Sequence, residues 1–495
     1  MALADDGRST ARDAGGWFLL AAIVALLVAR IPLIPVRAFD NDELEHAHAA
    51  WSVFRGLVPY RDFFEHHTPW YYFGLSPFFR WFPVAESLDA ARHFLIFGRL
   101  VSLALTALSA ALIFLVGRLG GGRRVGLLAA LFFVAQPVLI HKTFEIRPDV
   151  PALPFFIGAL WLLGHGLRAS DVPPLRRLRW FGAGGLCLGA AVMCTQKLLF
   201  VLPGALAGLG LWTLAGGRRS AARRTAAVLV VLIGVALPML ITWLAFALRG
   251  AGDPFIHDNF VLNAHWRWRS SRHLMDVLRT SWPILVLGVV GGWVALFRRD
   301  RAGPRDDADV LLLCTLGGLA AGVLVVPAAY EQYYLPLLTL ASLFAARGLS
   351  FLLDASRRGA RAWPLVCATV ALLILPTVDL ARATGHRNDV QMARLGFVYA
   401  HTGPADPVLD GWLGMAVFRP HPLPYFFMHR ELQAMLTARE KDAYLGALES
   451  RRVRPALITF DDELRALGPR FLAFVRRDYV SDDGLFYLPV SNPQK

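Results

Sequence analysis

The stretch WFLLAAIVALLVARIPLIPVRAFDNDELEHAHAAW (17–51) joins two opposite kinds of sequence. Residues 17–35 are apolar except for Arg30. That is close to the ~20 residues a membrane helix needs. No small-x-small cleavage site follows, so the run reads as a retained first span and not a removed leader. Directly behind it come Asp40, Asp42, Glu43, Glu45, His46 and His48. So many ionisable groups beside lipid are costly unless they serve a site. On a helix, Asp42 and His46 share a face at i,i+4, and Glu45 and His48 share one at i,i+3. The simpler account is a solvated helix N-terminus whose acids meet the helix dipole. That amphipathic stretch is expected to lie along the membrane interface.

The composition agrees with a membrane protein. Of 495 residues, 56% are hydrophobic and only 18% charged, and the mean hydropathy is +0.46. Soluble chains run nearer 45–50% apolar and about 25% charged, which excludes a disordered, fibrous or ordinary cytosolic protein. The formal net charge is +14. Nucleic acid is not needed to explain it, and no nucleic-acid partner is expected. Only Lys142, Lys197, Lys441 and Lys495 are lysines, so the basic residues are almost all arginine. Cys187, Cys194, Cys314 and Cys367 sit in apolar runs without metal-site spacing, and read as small core residues.

About eleven runs are long enough to span a bilayer: 17–35, 94–116, 125–141, 150–167, 180–196, 198–215, 226–248, 281–297, 309–328, 333–350 and 363–381. Arginines crowd every second connection, at 118–124, 168–179, 218–224, 298–305 and 357–361. The positive-inside rule makes those loops cytoplasmic. The N-terminus is then cytoplasmic and the C-terminus lies outside. The fold class expected is an all-α polytopic membrane domain over 1–381, with a first outer loop at 36–93. A small soluble, extracytoplasmic α/β domain follows over 382–495. There DPVLDGW (406–412), PALITFDD (455–462) and GLFYLPV (484–490) read as strands, and 431–452 and 462–477 as helices.

Four further outer segments carry charge. VPYRDFFEHHTPWYYFGLSPFF (58–79) holds Arg61, Asp62, Glu65, His66 and His67 before the aromatics Trp70, Tyr71 and Tyr72, which suit an interfacial belt. HKTFEIRPDVPALPF (141–155) places Lys142, Glu145, Arg147 and Asp149 in one turn. An arginine there suits phosphate, because its planar fork donates twice. CTQKLLF (194–200) sets Lys197 between two apolar runs, and AAYEQYYLPLL (328–338) sets Tyr333 and Tyr334 at another junction. Carboxylates able to take a proton and cations able to stabilise a departing phosphate thus face one side.

In this order the motifs resemble those of the GT-C glycosyltransferases, nearest the protein O-mannosyltransferase and lipid A aminoarabinose transferase (ArnT) branch. The acidic pair after the first span is here Asp42 and Glu43. VPYRDFFEHHTPWYY, IRPD (146–149), QKLLF and QYYLPLL match the form of later motifs. Members usually show an Asn-Lys-Pro-like string where this chain has His66, His67, Thr68 and Pro69. The resemblance implies a polyprenyl-phosphate sugar donor, a cell-envelope acceptor and inverting transfer at the outer face of a bacterial inner membrane. It implies Asp42 as general base with Glu43 or Glu45 assisting, and Asp149 orienting substrate. Arg147, Lys197 and Lys142 would hold the donor phosphate. Arg61, Asp62, His66, His67, Tyr333 and Tyr334 would contact substrate. No cofactor is dictated; if a divalent metal takes part, Asp42, His46 and Asp149 are its candidate ligands. The alternative is a transporter or flippase for a lipid-linked or anionic solute, which would place its charges at mid-membrane.

Overall fold

The computed structural model describes residues 6–169, 172–265, 271–297, 306–326, 328–356, 378, 380, 382, 384–450 and 453–490. Long helices dominate. Among the described residues, eight are long and apolar enough to cross a membrane. The difference from the eleven expected spans has three sources. Runs 94–116 and 125–141 fall on two helices that meet at a kink within Leu88–Ala135, where Gly122 takes φ 74°, and together they count as one of the eight. The 180–196 run falls in helix Pro174–Cys194, which opens on Arg176, Arg177 and Arg179 and is not one of the eight. The 363–381 run lies almost wholly outside the described residues.

Helix Pro174–Cys194 packs between Asp149–Arg168 and Arg218–Ala247, while Leu335–Ser356 packs against Arg272–Phe297 and Leu88–Ala135. Large side chains such as Ile233, Leu240 and Val289 remain more than half exposed on the outer faces. Apolar surface on this scale requires a covering, which lipid supplies for a multi-pass membrane protein.

A second core lies beside the first. Phe39, Leu44, Trp51, Tyr72 and Phe94 pack in one cluster with Val408, Phe418, Phe426, Ile458 and Phe474. The first loop and the C-terminal residues therefore share a hydrophobic centre. Helix Asn41–Phe54 buries every residue from Glu43 to Ser52, so it does not lie along an interface as expected. Tyr71 and Tyr72 are likewise core residues rather than a belt, because the C-terminal residues cover them.

The C-terminal sheet runs in the order β1 (Val408–Asp410), β2 (Leu457–Thr459), β4 (Phe486–Pro489), β3 (Tyr479–Val480). β1 and β2 are parallel, and β4 is antiparallel to both its neighbours. All three expected strands form, in shorter spans. The two expected helices are each divided. Thr437 starts Ala438–Glu449 with a capping box, and Gly468, at φ 95°, interrupts the second before Pro469–Asp478. Helix Asp389–His401 and strand β3 were not expected; the first follows the long apolar runs, the second is only two residues.

Candidate active site

Local structure begins with Asp40. Its side chain accepts from Asp42 N–H, and the Glu43 side chain accepts from Asp40 N–H, closing a capping box at the start of helix Asn41–Phe54. This fixes the acids on the first turns. Glu43 points inward. Its Oε1 and Oε2 accept from Arg99 at 2.6 and 2.8 Å, and Oε2 also accepts from Ile146 N–H. Arg99 is fully buried and also donates to the carbonyls of Ile34, Arg37 and Ala38. Glu43, expected beside Asp42 in catalysis, is thus taken up in a closed structural pair.

Asp42 faces the other way. Arg147 Nη2 donates to its Oδ2 at 2.8 Å and lies 3.3 Å from Asp40, while Arg147 Nε meets Glu145 at 2.5 Å. Lys142 bridges Asp40 at 2.8 Å and Glu145 at 3.3 Å. Burial opposes charge on Arg147, but Asp42, Glu145 and Asp40 outweigh it and hold the guanidinium firmly cationic. Asp40 is held below the usual carboxylate range: burial raises it, and Arg147 and Lys142 more than reverse that. Lys197 Nζ donates to both oxygens of Asp149 at 3.1 Å and sits 4.6 Å over the Tyr333 ring. Asp149 also acts electrostatically on Arg147, so the Asp42 and Asp149 sites adjoin.

Asp40, Asp42, Lys142, Arg147, Lys197 and Tyr333 line a cavity of about 320 Å³, while Glu145 and Asp149 hold its cations without lining it. Its walls hold Asp40, Asp42 and Glu45 from the first helix turns, Lys142 and Arg147 from the 142–147 turn, and Lys197 and Tyr333 from two helix starts. His66 and His67 complete the side nearest Glu45. Their loop is held at Tyr60, a non-glycine residue at φ 69°, whose hydroxyl donates to the His67 carbonyl at 2.7 Å. Such backbone strain is concentrated at functional loops.

Several expected positions fall elsewhere. Arg61 and Asp62 pair with each other at the surface, and Arg61 lines a separate groove of about 630 Å³. Their adjacent charges satisfy one another, which leaves neither for the cavity. Tyr334 is buried among the spanning helices; of the turn Glu331–Tyr334, Glu331, Gln332 and Tyr333 line the cavity and Tyr334 does not. Asp42, His46 and Asp149 do not form a ligand set: Arg147 holds the first, the Tyr72 hydroxyl meets His46 Nδ1 at 3.0 Å, and Lys197 holds the third. Among the described residues, the group that does assemble is Glu45, Glu65, His66 and His67.

The C-terminal residues supply cavity groups that no motif announced: Trp412, His429 and Glu431. Glu431 meets His429 at 2.9 Å and accepts from Tyr330 at 3.1 Å. A short polar run after an aromatic stretch gives no local signal for such a role.

The comparisons with known proteins follow this geometry. A family model described as dolichyl-phosphate-mannose-protein mannosyltransferase matches residues 94–246. No curated protein matches the chain in sequence. Among solved structures, ArnT from Cupriavidus metallidurans bound to undecaprenyl phosphate is similar over 97% of this chain and 99% of its own, with a TM-score of 0.67 at 14% identity. The oligosaccharyltransferase AglB from Archaeoglobus fulgidus, in complex with an inhibitory peptide and a dolichol-phosphate, is similar over 96% of this chain and 74% of its own. Its TM-score is 0.58 at 11% identity. The chain therefore has the GT-C fold, in the form seen in ArnT.

Proposed function

We propose that this protein is a membrane glycosyltransferase that moves a sugar from a polyprenyl-phosphate donor to a cell-envelope lipid, glycan or protein. The observation that carries the reading is the meeting of three cations, Lys142, Arg147 and Lys197, with Asp40, Asp42 and Glu45 around one cavity. The likeness to a structure holding undecaprenyl phosphate supports a lipid-linked donor. The arginine-rich alternate loops support placing the cavity on the outer face of a bacterial inner membrane, with the N-terminus inside and residues 382–495 as an outer domain.

In this reading the donor phosphate enters between Arg147 and Lys197, which are held by Asp42 and Asp149 without it. Arg147 turns toward phosphate and frees Asp42. The acceptor hydroxyl or amine then attacks the anomeric carbon. Asp42 takes its proton, the carbon–oxygen bond to phosphate breaks, and the electron pair leaves on the phosphate. Attack opposite the leaving group inverts the anomeric centre. Mass spectrometry of cell-envelope lipids and glycans with and without the gene tests the reading. Loss of one glycoform supports it; an unchanged profile with altered solute uptake favours transport.

A further inference from the structure

Beside the cation-lined part of the cavity is a group that the transfer scheme does not use. Glu45 and Glu65 come from different segments, and both are buried, at 6% and 0% exposure. One ligand atom from each of Glu45, Glu65, His66 and His67 lies within 4.8 Å of all the others. Glu65 Oε1 is fully engaged: it accepts from the backbone N–H of His66 and His67 and meets His67 Nδ1 at 2.9 Å. Those contacts fix the carboxyl in orientation. They leave Glu65 Oε2 clear of those backbone contacts, and Glu45 Oε1 is buried without a hydrogen-bond partner.

Two buried carboxyl groups this close together are unfavourable as a pair of charges, since each desolvated charge raises the cost of the next. The nearby cations are bonded to other acids. Arg147 is committed to Asp42 and Glu145, and Lys197 to Asp149. His66 and His67 each bring one imidazole nitrogen to the same point. Two carboxylate oxygens and two imidazole nitrogens are a usual ligand set for zinc-class divalent ions.

The supporting contacts are of the kind that hold ligands in place. The carbonyl of His66 accepts from Gln196 at 2.7 Å and from Asn263 at 2.8 Å. The hydroxyl of Thr68 donates to Val192 at 2.8 Å. The Tyr72 hydroxyl, 3.0 Å from His46 Nδ1, also hydrogen-bonds the Glu65 side chain.

We propose that Glu45, Glu65, His66 and His67 form a binding site for one divalent transition-metal ion, in the wall of the cavity. Closing the group onto an ion asks only that side chains already within 4.8 Å contract toward bonds of about 2.0–2.2 Å. The ion would sit next to Asp42's end of the cavity and offset the two buried carboxylates. The site stands on its own geometry and does not depend on the identity of any sugar donor.

The test uses the full-length protein in detergent, loaded with Zn2+, washed over chelating resin and assayed for metal by mass spectrometry. About one ion per chain is expected in the wild type. Glu65→Gln and His67→Asn should each weaken retention at least tenfold, while His265→Ala, outside the group, should not. Retention at wild-type level in both ligand variants overturns the site, as does a wild type that holds under about a tenth of an ion. Should the variants fail to fold, the wild type decides: Co2+ must give the intense visible bands of a low-coordinate site, and Cu2+ must show imidazole nitrogen in pulsed electron paramagnetic resonance. Absence of either signature overturns the proposal. No donor or acceptor is present in these measurements, so their failure leaves the transferase reading untouched.

Discussion

Arg147 reaches back 105 residues in sequence to place its Nη2 2.8 Å from Asp42 Oδ2. The pair joins the group proposed as base to the group proposed to hold phosphate. In that state neither is free to act, so donor entry and base release become one event. Asp42→Asn keeps the shape and one acceptor oxygen but removes the charge. Transfer should fall by about 10²–10⁴-fold, the usual contribution of a positioned base, with donor binding little changed. Full turnover by a folded Asp42→Asn protein would end the base assignment.

Arg147→Ala should act on the donor instead. A hydrogen bond to a charged group contributes about 1.5–3 kcal/mol, roughly a ten- to hundredfold loss in donor affinity. Lys197→Ala should behave in the same direction, whereas Lys197→Arg should recover part of it. Titration with a short-chain polyprenyl phosphate, followed by intrinsic tryptophan fluorescence, separates the two residues from Asp42. Equal affinity in wild type and Arg147→Ala would remove Arg147 from the phosphate site.

Glu43 offers the contrasting case. It is adjacent in sequence to Asp42, yet its carboxylate is spent on buried Arg99. Removing one partner of a buried ion pair costs about 3–5 kcal/mol, because the other is left uncompensated. Glu43→Gln should therefore lower the unfolding midpoint in detergent markedly. Specific activity per folded molecule should stay within a fewfold of wild type. A stable Glu43→Gln protein with activity as low as Asp42→Asn would reverse this reading.

The same pair shows what sequence could and could not convey. The membrane spans were legible because a bilayer demands long apolar runs, whatever the rest of the fold does. The acids after the first span were legible because charge beside lipid needs a reason. Which acid of Asp42 and Glu43 faces the cavity was not, since that depends on Arg99, 56 residues away. Arg99 itself stood inside an expected span, a local signal for a buried partner. The contribution of His429 and Glu431 had no such signal. It arises only because the C-terminal residues and the first loop share one core.

That shared core carries a pH dependence. His48 is buried against the C-terminal residues, where its Nδ1 meets the Val417 carbonyl at 3.0 Å. Burial, with a smaller push from His421, holds it down to about 3, against 6.5 unperturbed. Burial likewise holds His421 down to about 4. Between those values and pH 6.5 the unfolded chain binds protons that the folded chain refuses. Stability must then fall as pH drops below about 6.5, and continue falling toward pH 3–4. The expected failure is release of the C-terminal residues from the first loop, seen as protease sensitivity within 384–490 at pH 5 and protection at pH 7.5. His48→Gln, which keeps a donor for Val417 but does not titrate, should flatten the slope. Identical acid sensitivity in His48→Gln and wild type would assign the effect to other groups.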